Sequence, residues 1–270
     1  MSAWLPTAPC TPQACVEASA AVRARAVPRA LLRLGAVLLL LLAGIALTPF
    51  GARIPPSLVR RWCRWIVRAA GVRVRITGTA APTGGLLLVA NHISWLDIPL
   101  LAAVRPARML AKTEVRHWPV AGVLAARGKT LFIDRDRLRA LPDTVARIAG
   151  ALREGAAVAA FPEGSTWCGR AQGTFRRAVF QAALDAGVPV QPVRIGYRLG
   201  GGTATAPAYV GEDTLLASLW RVATSRGLIA EVEVQAPIPP GGSPDRRALA
   251  RAAQQPETTV PAWTHTVLVA

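Results

Sequence analysis

Fifteen residues, Leu86 to Leu100, constrain the fold more than any other part of the chain: LLLVANHISWLDIPL. Leu86 to Ala90 have the length and branching of a buried strand. The run stops at Asn91-His92, and a helical pattern starts within two residues. Ser94 stands where an N-cap belongs, with Asp97 three residues on as the acidic partner of a capping box. On one continuous helix, residues five apart point ~140° away from each other. With His92 ahead of the helix, the chain can instead turn the imidazole back toward the Asp97 carboxylate. A carboxylate on one ring nitrogen fixes the tautomer and leaves the other nitrogen free to take a proton. A histidine at a strand end beside an ordinary helix cap would read the same way, so the pair needs support from elsewhere in the chain.

The flanking sequence places this junction in an α/β domain. VRVRITG, LLLVA, RMLAK, TLFIDR, AAVAAFPEG, VPVQPVRIGY and IAEVEVQAPI read as strands, with helical patterns near 95–104, 117–126, 138–153 and 174–186. This alternation predicts a mixed, largely parallel sheet flanked by helices over residues 71–240. Residues 1–22, rich in Pro, Ala and Thr, read as a disordered tail, and 241–270 as a polar tail with a short helix at Asp245–Ala253.

Residues 23–70 have a different character. An uncharged stretch from Leu34 to Ala52, centred on AVLLLLLAGIAL, would span ~28 Å as a helix, enough for a bilayer core. Arginines flank it on both sides, so loop charge gives no orientation, and spanning and re-entrant placements both stay open. After Pro55-Pro56, Leu58, Trp62, Trp65, Ile66 and Ala69 share one helical face and Arg60, Arg61, Arg64 and Arg68 the other. That pattern suits a helix lying among lipid headgroups or one packed on the domain.

The net charge is +17, nearly all of it from arginine, since Lys112 and Lys129 are the only lysines. No acidic residue occurs between Glu17 and Asp97, where eleven arginines lie. Such a surface suits nucleic acid, anionic lipid or a phosphorylated substrate. A nucleic-acid-binding protein explains the charge but neither the apolar segment nor the His92–Asp97 spacing. Gly122–Thr130, GVLAARGKT, has five residues between its glycines where a nucleotide-binding loop needs four, and it precedes a strand rather than following one. Cys10, Cys15, Cys63 and Cys168 read as scattered reduced thiols, without metal-ligand spacing.

Three more stretches carry polar groups to strand ends. GKTLFIDR, Gly128–Arg135, delivers Arg135, a group that can grip a phosphate bidentately or pair with a neighbouring aspartate. FPEGST, Phe161–Thr166, sets Glu163 in a Pro-Gly turn that would hold it outward, toward substrate hydroxyls or solvent. The prolines of VPVQPV, Val188–Val193, predict an edge strand or cleft wall.

NHISWLD, GKTLFIDR, FPEGS and VPVQPV, in this order, resemble the four blocks of the glycerolipid acyltransferases, whose best-known members are the lysophosphatidate acyltransferases. The resemblance covers roughly residues 55–240. It implies that His92 is a general base oriented by Asp97. The base would deprotonate a lysolipid hydroxyl that attacks the thioester of acyl-CoA or acyl-carrier protein. It implies that Arg135, with Gly128 and Phe132 shaping its strand, meets the acceptor's phosphate, and that Glu163, Gly164 and Ser165 help bind the acceptor. It further implies a membrane-associated enzyme with its site facing the cytoplasm, needing no metal, cofactor or nucleic acid. Lysophosphatidate comes first as acceptor. However, lysophosphatidate acyltransferases commonly carry Arg just after the third block, where this chain has Thr166, and relatives acylating lyso-ornithine lipid also lack that Arg.

Overall fold

The computed structural model describes residues 8–17, 26–134 and 137–254. In chain order these form α1 (Pro12–Cys15), α2 (Ala26–Leu47), α3 (Pro56–Ala69), β1 (Arg73–Thr77), β2 (Leu86–Ala90), α4 (Asp97–Val104), β3 (Arg108–Lys112), α5 (Ala121–Arg127) and β4 (Leu131–Ile133). They continue as α6 (Leu141–Arg153), β5 (Ala157–Ala160), α7 (Ala178–Ala186), β6 (Val190–Leu199), β7 (Gly202–Thr203), α8 (Leu215–Thr224), β8 (Ile229–Val234) and α9 (Arg246–Gln254).

The seven main strands lie in the order β1-β8-β6-β2-β5-β3-β4, with the two-residue β7 paired to β6. Among the described residues, only the pairings of β6 with β7 and β8 are antiparallel, so the sheet is mixed and largely parallel as expected. All five residues of β2 are buried because both faces of the sheet are covered. Leu86, Leu88 and Ala90 pack with Ile66, Val67, Leu96 and Leu100 from α3 and the β2–α4 region, whereas Leu87 and Val89 pack with Ile148, Leu152 and Phe180 of α6 and α7. The period of two thus divides β2 between two cores.

The prolines of VPVQPV do not mark an edge. β6 lies between β2 and β8, in the middle of the sheet. Pairing runs from Val193 opposite Val234 to Val190 opposite Ile238, so three residue steps on β6 face four on the returning chain. Pro192, which has no N–H to give, sits in that bulge and only accepts, from the Gln235 N–H at 3.0 Å.

Two helical expectations shift. α2 starts at Ala26 and ends at Leu47, so it lies nearer the N-terminus than the uncharged stretch. Pro49 lacks the N–H that would reach the Ile45 carbonyl, and that carbonyl accepts instead from Thr48 Oγ1 at 2.6 Å and Arg127 at 3.0 Å. At its other end, Arg29 and Arg33 donate to the carbonyls of Ala223, Thr224 and Ser225 at the end of α8, a helix the sequence pattern did not announce. α3 is docked rather than free: Cys63, Ile66 and Val67 are buried, and the Trp62 indole donates to the Leu40 carbonyl at 3.1 Å.

Of the two terminal segments, residues 1–7, 18–25 and 255–270 lie outside the described residues, and α9 matches the short helix expected at Asp245–Ala253. Within residues 8–17, Cys10 is buried, and the Glu17 N–H donates to Thr205 Oγ1 at 2.9 Å. Three of the four cysteines, read as scattered, come together here: Cys10 and Cys15 meet Cys168. α9 buries Leu249, Ala250 and Ala253.

Candidate active site

β2 delivers Asn91 and His92 at the carboxyl end of the sheet, where α/β folds gather their ligand-contacting groups. Asn91 extends the sheet with its side chain, donating to the Ile195 carbonyl at 2.9 Å and accepting from the Ile195 N–H at 2.8 Å. The position from which the chain leaves β2 is therefore pinned to β6.

The chain then folds back as the sequence spacing requires. His92 Nδ1 lies 2.8 Å from Asp97 Oδ2, and the ring stacks on Phe161 with centroids 3.9 Å apart. Asp97 Oδ2 also accepts from the N–H groups of Ile93 (2.6 Å) and Ser94 (2.8 Å), while Oδ1 accepts from the Tyr197 hydroxyl at 2.6 Å. Of the expected capping box, the half in which Asp97 accepts from Ser94 is present. The Ser94 hydroxyl accepts from Leu96 N–H at 3.3 Å, two residues on, and the helix proper begins at Asp97.

The Asp97 carboxylate is fully shielded from solvent, and a buried carboxylate must be met by donors. Four donors meet it. Because Nδ1 faces a carboxylate that holds no proton for it, Nδ1 carries the hydrogen and Nε2 has the free lone pair. The imidazole is about a fifth exposed, enough for Nε2 to reach a substrate proton.

Tyr197 is the residue that sequence reasoning missed. Burial first, then the nearby Asp97 charge, pushes its phenol well above the usual tyrosine range, so it remains a neutral donor. The available signal was a phenol two residues beyond Ile195 on an inward-facing row with Val193, in a strand otherwise read only for its prolines.

Glu163 is not held outward. It is buried, with Oε2 accepting from the His92 N–H at 2.7 Å and Oε1 from the Gly173 N–H at 2.9 Å. The Phe161–Gly164 turn, closed by Gly164 N–H to the Phe161 carbonyl at 3.1 Å, aims the side chain inward. Gly164 has a φ of 77°, which glycine adopts without strain. Glu163 thus grips the His92 backbone. The Trp167 N–H holds the same residue from the other side, donating to the His92 carbonyl at 2.8 Å.

Burial raises the Glu163 carboxyl from 4.5 to about 7, opposed by the His92 and Gly173 N–H groups and assisted by the Asp97 charge. A raised folded-state value means that this stabilising contribution is complete below pH 4.5 and is lost as pH rises through about 7. Glu163→Gln removes that pH dependence. The unfolding free energy of wild type relative to the variant should therefore fall by roughly 3 kcal/mol across this interval. The amide also cannot accept at both positions, and a lost hydrogen bond to a charged group costs ~1.5–3 kcal/mol, so turnover should fall by ~10-fold or more. Denaturant titrations at several pH values, beside turnover measurements, check both. Unchanged turnover would remove Glu163 from the support of His92.

The other expected site residues separate. Register pairs Val89 with Ala160, Met109 with Ala159 and Leu110 with Leu131, which sets Leu131 level with Val89. β4 therefore runs toward the His92 end of the sheet. Gly128 lies before it, as the C-cap of α5. Phe132 is buried under the Arg116 guanidinium, 4.5 Å from the ring centroid. Arg135 lies outside the described residues. Ser165 Oγ is buried without a hydrogen-bond partner among them, and Thr166 donates its hydroxyl to the Tyr209 carbonyl.

The acyltransferase family model matches residues 71–196, from just before β1 into β6, and so takes in the whole His92–Asp97–Glu163 arrangement. A lyso-ornithine lipid O-acyltransferase of Pseudomonas aeruginosa is 41% identical over 216 residues, covering 79% of this chain and 80% of that protein. A 1-acyl-sn-glycerol-3-phosphate acyltransferase of Neisseria gonorrhoeae is 35% identical over 174 residues, covering 64% of this chain and 68% of that protein. Among solved structures, the 1-acyl-sn-glycerophosphate acyltransferase of Thermotoga maritima superposes with a TM-score of 0.63 at 19% identity, covering 85% of this chain and 93% of its own, a likeness of fold. With the family model matched over residues 71–196 and a relative 41% identical across about four fifths of both chains, this chain belongs to the acyltransferase family.

Proposed function

We propose that the protein transfers a fatty acyl chain from acyl-CoA or acyl-carrier protein to a lysolipid hydroxyl at a membrane surface. The observation that carries this is the His92–Asp97 pair, which leaves Nε2 as a base at the open end of the sheet. His92 Nε2 takes the acceptor's hydroxyl proton as the oxygen attacks the thioester carbonyl. The tetrahedral intermediate collapses by breaking the carbon–sulfur bond, and the departing thiolate recovers the proton from the imidazolium. Asp97 steadies the transient positive charge on the ring, and the base does not shift because Glu163 and Trp167 grip its backbone. No enzyme nucleophile is required.

Lyso-ornithine lipid is the acceptor that the site supports best. Thr166 stands where a guanidinium for a phosphomonoester is commonly found, and its hydroxyl is engaged with Tyr209. The 41% identical relative bears that activity in its name. Lysophosphatidate is a second reading, favoured by the 35% identical relative and by the +17 net charge. The test is thiol release from oleoyl-CoA and from acyl-carrier protein, with each lysolipid or with none. Release with lyso-ornithine lipid alone supports the first reading, and release with lysophosphatidate alone replaces it with the second. No acceptor-dependent release would end both.

Membrane attachment fits the outer surface of α2. Leu31, Leu32, Leu38, Leu39 and Leu42 are exposed along one stripe, and Trp65 of α3 and Ile98 of α4 are exposed beside the same layer of helices. α2 is tied to the domain at both ends by arginines, so the domain stays against its length and the leucine stripe faces the lipid. Burying a leucine stabilises by ~1.5–3 kcal/mol, so replacing both Leu39 and Leu42 with Glu should cut vesicle binding by ~10-fold or more. Vesicle flotation measures this, and wild-type binding by the double variant would move the contact elsewhere.

A further inference from the structure

Cys10, Cys15 and Cys168 have sulfur atoms that all lie within 4.8 Å of one another. Nothing in the acyl-transfer mechanism uses them. The four-residue spacing from Cys10 to Cys15 is one that thiolate metal knuckles use, and the short α1, which ends at Cys15, folds the chain back between them. The third sulfur comes from the loop after β5, where Cys168 is buried and the N–H groups of Arg170 and Ala171 point at it. A disulfide would use two of these sulfurs and leave one over. A metal uses all three: zinc–sulfur bonds of ~2.3 Å put thiolates ~3.8 Å apart around a tetrahedral ion, an adjustment of about an ångström here.

We propose that Cys10, Cys15 and Cys168 form a binding site for a soft, thiolate-preferring cation, Zn2+ or Cu+, which fastens the N-terminal segment to the loop beside the active site. Three S–H groups lose their protons and three metal–sulfur bonds form. A fourth position stays open for water on zinc, or none is needed around trigonal copper. Cys168 adjoins Trp167, whose N–H holds the His92 carbonyl, and Glu17, just after α1, is already paired with Arg170 at 3.1 Å. The ion would therefore order the peptide that positions the base while touching no reacting atom.

The experiment uses the full chain in detergent under thiol-reducing conditions, stripped of metal. Zn2+ and Cu+ are titrated against chromophoric chelators, with Co2+ as a spectroscopic probe for sulfur-to-metal charge transfer and Mg2+ as the hard-cation control. We expect one soft ion per chain, a charge-transfer band, a raised Tm and protection of the three thiols from alkylation. Cys15→Ser and Cys168→Ser should each weaken binding by ~100-fold or more, and Cys63→Ala, in the core of α3, should not. If Cys168→Ser fails to fold, Cys15→Ser at the partly exposed position decides the matter. Binding of neither ion at one per chain, equal binding by wild type and Cys15→Ser, or a disulfide among the three in the reduced protein would overturn the proposal.

Discussion

Replacing His92 with alanine should lower kcat for acyl transfer by ~100-fold or more, the scale of losing a positioned general base. The fold should survive. The ring is partly exposed, and the backbone contacts that pin position 92, its N–H to Glu163 and its carbonyl to Trp167, do not involve the side chain. The KM for the thioester should change little, because the imidazole is assigned to the acceptor's proton. Stopped assays of thiol release, with circular dichroism on the same samples, separate lost chemistry from lost structure. Wild-type turnover in a folded His92→Ala protein would disprove the mechanism.

The second large effect is expected from Asp97→Asn, which keeps the shape of the site and removes its charge. An Asn carbonyl in the place of Oδ2 can still accept from His92 Nδ1, Ile93 and Ser94, so the tautomer and the loop are kept. The amide nitrogen then faces the Tyr197 oxygen, and the phenol can turn its hydrogen toward Ser94, with which it also interacts. What is lost is compensation for the imidazolium that forms during attack. A loss of ~100-fold or more in kcat, with little change in KM, is the expected result. Asp97→Ala should behave differently. It strands two backbone N–H groups and a phenol in the interior, at ~1–3 kcal/mol each, and should lower Tm as well as turnover. If Asp97→Asn had the kcat of wild type, Asp97 would be a structural cap and His92 would act without it.

The parts of the fold that could be read ahead of the structure are those where local pattern and tertiary outcome agree. Leu86–Ala90 had to be a buried strand, because an apolar run of five ended by Asn-His has few other uses. His92 and Asp97 had to converge or have nothing to do with each other, and the 2.8 Å contact is the first case. The helix α8 was not legible. Thr214 caps α8, accepting from the Ala217 N–H at 3.2 Å, but one capping threonine does not distinguish a helix start from a turn, and the carbonyl end of α8 acquires meaning only when Arg29 and Arg33 arrive from almost two hundred residues away. The prolines of VPVQPV misled for a similar reason. A missing N–H normally excludes a central strand, and a bulge in the opposing chain removes the demand for it.

Glu163 shows the limit most clearly. FPEGS announces a turn with a carboxylate, and a turn on the surface would expose it. Whether the side chain points out or in depends on what lies behind the turn, and here two N–H groups 71 and 10 residues away in the chain wait for an acceptor. Tyr197 is hidden in the same manner: only the stacking of β6 beside β2 brings its hydroxyl to Asp97 from 100 residues away. The strand-to-helix junction, the alternation of strand and helix, the apolar character of α2 and the family could be read from the residues alone, because these rest on nearest neighbours and on ordered blocks. The tertiary structure alone decided that Glu163 grips a backbone, that Tyr197 completes the hold on Asp97, and that three separate cysteines share one corner. Those outcomes depend on which groups the packing leaves buried and in need of partners, and that is a property of the assembled layers, which no single segment contains.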